Sequence, residues 1–261
     1  MPVVCRLWWV VLGLLAAQPL LAAQLIKVGA YHFPPYVSKP EAEQAQGLLP
    51  DLLSALNAEQ GEYQFVLVPT SVTRRFRDLQ SARYDLIMFE SPSWGWQNTP
   101  HETFDLQVQD AEVYVAKAVA GRGQDYFAQF SGKRMALYSG YHYGFAQFNA
   151  DPEYLTKQFN AVLTYSHDSN LLMVLRERAD LTVVTRSYLH HYLLRYPEQR
   201  PQMLVSERVD QVYRHQALLR PHAPISAQAL SSLLQRLREG GQLSALYRQY
   251  DLTQSRQVAR P

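Results

Sequence analysis

The chain has 261 residues, 47% of them hydrophobic and 18% charged, with a formal net charge of +2. This balance suits a globular body of one large domain or two small ones, and its near-neutrality implies no polyanion such as nucleic acid as a partner. The single cysteine, Cys5, excludes a disulfide framework and a thiolate metal centre.

Residues 1–6 are short and basic, residues 7–17 (LWWVVLGLLAA) are apolar, and residues 18–23 (QPLLAA) end in small side chains. That is the pattern of a secretory leader over residues 1–23, cut near Ala22 or Ala23. The competing reading, a membrane anchor, needs a longer apolar run than Pro19 permits. Cys5 lies inside the leader, so the processed chain has no thiol. The expected location is the periplasm.

Residues 25–30 (LIKVGA) read as a strand that ends at aromatics and prolines. Residues 50–60 read as a helix, with Pro50 and Asp51 in its first turn and Gly61 as its stop. Residues 63–68 (YQFVLV) are a second strand. Residues 71–80 (SVTRRFRDLQ) predict a helix capped by Ser71, with Val72, Phe76 and Leu79 on one face. Residues 84–89 (YDLIMF) are a third strand. Alternating strands and helices imply a parallel sheet with right-handed crossovers, whose ligands bind beyond the carboxyl ends of the strands. Two aromatic-rich segments, residues 31–36 and 90–96, fall at such ends.

A second α/β unit follows. Residues 112–118 and 134–138 read as strands, the latter leading into Ser139-Gly140-Tyr141-His142-Tyr143-Gly144. A small-residue turn there can present backbone N–H groups to a ligand. Residues 168–178 predict a helix and residues 181–185 (LTVVT) a buried strand. Residues 213–220 read as a strand returning to the first unit. Residues 226–239 predict an amphipathic helix ended by Gly240-Gly241, and residues 242–250 a last helix.

Several landmarks together carry a family likeness. They are Lys27-Val28-Gly29 before Pro34-Pro35-Tyr36, Gly47 with Asp51-Leu52, Leu79 with Asp85-Leu86-Ile87, Ser131-Gly132-Lys133-Arg134 before Ser139-Gly140, Arg178-Ala179-Asp180, and the closing Gly-Gly pair. In their order and spacing the chain resembles the periplasmic solute-binding proteins of the amino-acid (family 3) type. The resemblance implies a two-lobed type II periplasmic-binding-protein fold: two α/β lobes, each a mixed, mostly parallel sheet flanked by helices, joined by two hinge strands. Lobe 1 would span residues 24–115 with 212–261, and lobe 2 residues 116–211. It further implies a monomer without cofactor, a ligand held between the lobes, and a membrane permease or a sensor as partner.

Two departures bear on the ligand. In the family an arginine after the third strand grips the ligand carboxylate, but Ser91-Pro92-Ser93-Trp94-Gly95-Trp96-Gln97 holds none. An acidic residue meets the ligand amine at the end of a second-lobe strand, but Thr185 stands there, followed by Arg186. Losing both charged anchors changes the class of ligand.

The candidate ligand contacts each have an ordinary alternative. Tyr31, Phe33 and Tyr36 either stack on a flat or cationic ligand or simply pack after the strand. Trp94 and Trp96 wall the cleft or cover the sheet end. Glu90, with Ser91 beside it, either pairs a ligand amine or is a solvated carboxylate. Arg74 and its neighbour Arg75 either reach an acidic group or form a solvated helix face. Tyr141 and His142 follow the Ser139-Gly140 turn. Thr185 and Arg186 contact ligand or bridge the lobes. His190-His191 is no metal pair, because adjacent helical residues diverge. Ser139-Gly140 is no nucleophile elbow. Three functions follow: capture of a small polar or aromatic-containing solute for an ABC permease, ligand sensing on the same fold, or a dehydratase-like enzyme with Glu90 as its acid.

Overall fold

The computed structural model describes residues 22–254, so the leader reading falls outside it except at Ala22 and Ala23. In the first lobe, β1 (Gln24–Ala30) lies between β2 (Tyr63–Pro69) and β3 (Leu86–Glu90), all parallel. The connecting helices are α1 (Leu48–Glu59) and α2 (Arg75–Gln80). α1 starts two residues earlier than its proline suggests, because Leu48 and Leu49 are buried. Its first N–H groups are satisfied by the aromatic loop: Leu48 N donates to Pro35 O at 3.1 Å and Leu49 N to Tyr36 O at 2.9 Å. Gly47 passes so near that loop, at φ 123°, that a β-carbon would stand 2.5 Å from Tyr36 O. The helix start therefore fixes the loop over the sheet edge.

Two expected boundaries move. α2 begins at Arg75, not Ser71; residues 72–74 form a turn in which Ser71 Oγ accepts from Arg74 N at 3.3 Å. β3 begins at Leu86, not Tyr84, because Tyr84 and Asp85 are drawn into side-chain bonds. Tyr84 OH donates to Arg75 O at 2.5 Å, and Asp85 accepts Lys27 N at 2.8 Å and Arg220 Nη2 at 2.7 Å. Near its end β3 carries an irregularity, with Phe89 at φ 62°. A bulge of this kind re-aims the next side chain, here Glu90.

The strands predicted at 112–118 and 213–220 are parts of much longer ones, β4 (Glu102–Lys117) and β8 (Met203–Leu219). In the second lobe come β5 (Met135–Tyr138), α3 (Pro152–Phe159), β6 (Ala161–Thr164), α4 (His167–Leu175), β7 (Leu181–Thr185) and α5 (Arg186–Arg195). The sequence reading lacked α3, β6 and α5. After β8, α6 (Ala227–Glu239) and α7 (Gln242–Gln249) return to pack on α1. Four leucines of α6 (230, 233, 234 and 237) are buried there, each contributing about 1.5–3 kcal/mol.

The strand order is β2-β1-β3-β8-β4-β7-β5-β6. Two parallel sets, one per lobe, are thus joined through the antiparallel β4–β8 pair, which runs across both. The cleft lies where the carboxyl ends of the two sets face each other.

Candidate functional site

Both lobes put aromatic loops into the cleft. Phe33 is their hub. It stacks on Tyr31 (centroids 5.8 Å, planes 13° apart) and on Tyr36 (4.7 Å, 28°), and meets Trp94 and Tyr141 edge-on at 5.8 Å each. Tyr141 comes from the second lobe, so the ring cluster spans the cleft. The lobes also touch at two glycines. A β-carbon on Gly140 would lie 2.8 Å from Val72 Cγ1, and one on Gly95 would lie 3.0 Å from His142 Nε2.

Behind the rings sits a buried ion pair. Arg75 is 2% exposed; its Nη2 donates to Trp94 O at 3.0 Å, Nη1 donates to Val72 O, and its guanidinium lies over the rings of Tyr31, Phe76 and Trp96. Glu90 accepts Trp96 Nε1 at 2.7 Å on Oε2, with Arg75 Nε 3.5 Å from the same oxygen. Burial pushes the Glu90 carboxyl up, against the opposing pull of Arg75.

The hinge strands carry a second buried network. Glu112 and Gln211 face each other across β4 and β8. Gln211 Nε2 donates to Glu112 Oε2 at 2.7 Å and to His142 O at 2.8 Å, while its Oε1 accepts Trp94 Nε1 at 3.3 Å. One side chain thereby links a first-lobe loop, the hinge and a second-lobe loop. Glu112 is pushed well up by burial and by the charge of Asp210. Nearby, Asp110 accepts Tyr36 OH at 2.7 Å and Ser187 Oγ at 2.5 Å, and Tyr36 OH meets His215 Nε2 at 2.6 Å. Burial holds His215 neutral, pushed down to about 3, and His142 at about 4. Asp210 completes the frame: it accepts Gly144 N at 2.6 Å and Phe145 N at 2.8 Å, tying the turn after β5 to β8.

Two chambers lie between the lobes. The inner one, lined by Tyr31, Phe33, Arg75, Trp94, Glu112 and Tyr141 among others, has about 10 Å³ of free volume, enough for one water. The outer one, nearer the mouth, has about 170 Å³ and is lined by Tyr31 and Thr70–Thr73 on one side and Tyr138, Ser139 and Tyr165 on the other.

The structure therefore gathers Tyr31, Phe33, Trp94, Tyr141 and His142 around one chamber. Tyr36 points away into the Asp110 network, and Trp96 into the Arg75–Glu90 pair. Ser91 accepts Ser93 N at 3.4 Å, and Thr185 caps α5, accepting Tyr188 N at 3.1 Å. Arg74 and Arg186 are exposed and line neither chamber. Reasoning from sequence missed Glu112, Gln211, Asp110, His215 and the outer-chamber groups Tyr138 and Tyr165. The one available signal was two carboxylates in the strand-like stretch 110–115.

This architecture is the two-lobed type II periplasmic-binding-protein fold. No family model matches the sequence, and no curated protein does. Among solved structures, a substrate-binding protein of an ABC uptake transporter from Streptococcus pneumoniae, with bound histidine, is 16% identical over 87% of this chain and 92% of that one, TM-score 0.68. The GluR0 ligand-binding core from Nostoc punctiforme, in complex with L-glutamate, is 15% identical over 86% and 98%, TM-score 0.66. A histidine kinase sensor domain with similarity to periplasmic binding proteins is 16% identical over 89% and 99%, TM-score 0.64. At such identities the likeness is one of fold.

Proposed function

We propose that this chain is an extracytoplasmic solute-binding protein. It captures a small polar or aromatic-containing solute between its lobes and delivers it to an ABC permease. The observation that carries the reading is the ring cluster built from both lobes, together with the polar atoms left around it. Arg75 Nε, Glu90 Oε1, Tyr141 OH, His142 Nδ1, Tyr213 OH and His215 Nδ1 are buried with no hydrogen-bond partner among the described residues. Buried polar groups are normally paired; the one-water inner chamber lies among these atoms, and the larger chamber beside it is walled by both lobes.

Capture follows from the two-strand hinge. Opening about β4 and β8 separates Val72 from Gly140, and closure over a solute restores the contact; a solute that prefers the closed form shifts the population toward it. Residues 24–115 with 212–261 and residues 116–211 are the bodies that move. The leader over residues 1–23 sends the protein to the periplasm, and no helix of the described residues is long and apolar enough to cross a membrane. The ABC-transporter neighbour supports uptake by analogy of fold. A dehydratase reading needs Glu90 as a free acid, yet Glu90 is engaged by Trp96 and lies against Arg75.

The test is a melting-shift panel on the purified protein: amino acids, polyamines, opines, aromatic acids, short peptides and neutral sugars. A true ligand at 100 times its Kd adds about 2.7 kcal/mol. The reading expects a shift from at least one solute and none from standard α-amino acids, which need the missing anchors. A flat panel contradicts it.

A further inference from the structure

We infer that the solute sits in the outer chamber and is a neutral, polyhydroxylated ring of monosaccharide size. The inference rests on the solute-binding reading above and narrows it.

Room decides first. The inner chamber holds one water, whereas the outer one holds several and is walled by both lobes. The inner chamber is crowded because its rings pack on each other and Arg75 fills the space behind Tyr31.

Charge decides second. An ionic solute needs a counter-charge to offset its desolvation. Of the buried ionisable groups at the inner chamber, Arg75 and Glu90 already face one another and Glu112 is held by Gln211. In the outer chamber Glu41 is the one carboxyl among the lining residues, and it is solvent-exposed. His32, the lining imidazole, is pushed down by burial. Its Nδ1 accepts from Lys39 N at 3.3 Å, which leaves the proton on Nε2 as a neutral donor.

What remains is hydroxyl chemistry. Thr70, Ser71 and Thr73 face Tyr138, Ser139 and Tyr165 across the chamber. A hydroxyl both donates and accepts, so opposed rows of them match a ligand bearing hydroxyls of its own. Thr70 Oγ1 donates to Asp78 Oδ2 at 2.6 Å and so offers its acceptor side, while Ser71 Oγ, which accepts Arg74 N, shares a 3.4 Å hydrogen bond with Thr73 Oγ1 and so leaves one hydroxyl proton of the pair for a ring hydroxyl. Aromatic faces complete the seat. Tyr165 is 76% exposed at the mouth and stands nearly perpendicular to Tyr138, their centroids 6.3 Å apart, so aromatic surface is within reach of the C–H side of a sugar.

The test is calorimetric titration of the purified protein with a set of neutral hexoses, pentoses and cyclitols, and in parallel with the twenty amino acids. Wild type is compared with Tyr165→Ala, Ser139→Ala and Ser71→Ala. Tyr165 is exposed, so its removal leaves folding intact, as an unchanged Tm will show. The expected result is saturable binding of at least one neutral ring. Tyr165→Ala weakens it by about three- to tenfold, and each serine change weakens it further. Binding of a charged amino acid that Tyr165→Ala does not alter overturns the outer seat and leaves the solute-binding reading standing. A neutral ring that binds all variants equally also overturns the seat. Silence from both sets overturns the seat, while the solute-binding reading stands or falls on the wider melting panel.

Discussion

Arg75 Nε lies 3.5 Å from Glu90 Oε2, and both side chains are buried, at 2% and 0% exposure. The segment after β3 holds no arginine, and this guanidinium enters the cleft from α2. It meets an internal carboxylate. Breaking a buried pair by removing one partner costs roughly 3–5 kcal/mol, while replacing both is near neutral. Arg75→Met should therefore cost that much in urea unfolding, and adding Glu90→Gln should restore most of it. A single change costing under about 1 kcal/mol would show that the pair is not the closed cleft's internal tie.

Gly140 marks where the lobes touch. Its β-carbon would stand 2.8 Å from Val72 Cγ1, on a backbone at φ 84°. Gly140→Ala is expected to hold the lobes apart, seen as a larger radius of gyration by small-angle scattering. Adding Val72→Ala relieves the clash and restores the compact value, although the cost of the left-handed backbone remains.

Gln211 is the cross-link of hinge and lobes. Gln211→Leu strands Trp94 Nε1, Glu112 Oε2 and His142 O, and each buried polar group left unpaired costs about 1–3 kcal/mol. We expect a lower urea midpoint and a red-shifted tryptophan emission, because Trp94 loses its fixed position. Unchanged emission would place the link outside the cleft's stability.

Acid should loosen the fold. Burial pushes His167 and His215 down to about 3, whereas an unfolded histidine titrates near 6.5. These groups are neutral in the fold, so their contribution is fully present above about pH 6.5 and is lost as pH falls toward 3, by up to about 1.4 kcal/mol per pH unit each. Glu90, Glu112 and Asp110, raised by burial, act with the opposite sign: they weaken the fold as pH rises past their unfolded values. The histidine part is isolated by His167→Phe, whose ring can keep the packing against Tyr138 and Tyr188. Urea midpoints between pH 6 and 4 should depend on pH less steeply in this variant than in wild type. Equal slopes would contradict the assignment.

Much of this was readable in the sequence. The parallel core strands are short, apolar runs, and the leucine spacing of α6 and the glycines that follow it announce that helix. The early part of β4 was legible but passed over: Phe104, Leu106 and Val108 alternate with Asp105, Gln107 and Gln109, the period of a half-buried strand, although the register shift at Gln107 (φ 57°) has no local signal. α5 (RSYLHHYLLR) hid its helical face among histidines and tyrosines. Arg75 and Arg74 looked alike until the turn at residues 72–74 rotated one inward; what buries Arg75 is Glu90, a tertiary partner that local spacing does not reveal. Gln211 is illegible for the same reason, since its three partners lie in segments 94, 112 and 142. The rings of residues 31–36 were placed at the cleft by strand-end logic, but their packing on one another, and hence the displacement of free space to the outer chamber, is a property of the assembled lobes.

The central claim is that the two lobes open and close about β4 and β8 around a solute. Spin labels on Ser54→Cys in α1 and Lys157→Cys in α3 of the processed chain, both exposed, report the interlobe distance by double electron–electron resonance. We expect a broad or two-peaked distribution that collapses to its short component on adding the solute found in the panel. A single narrow distance, identical with and without that solute, would contradict the account.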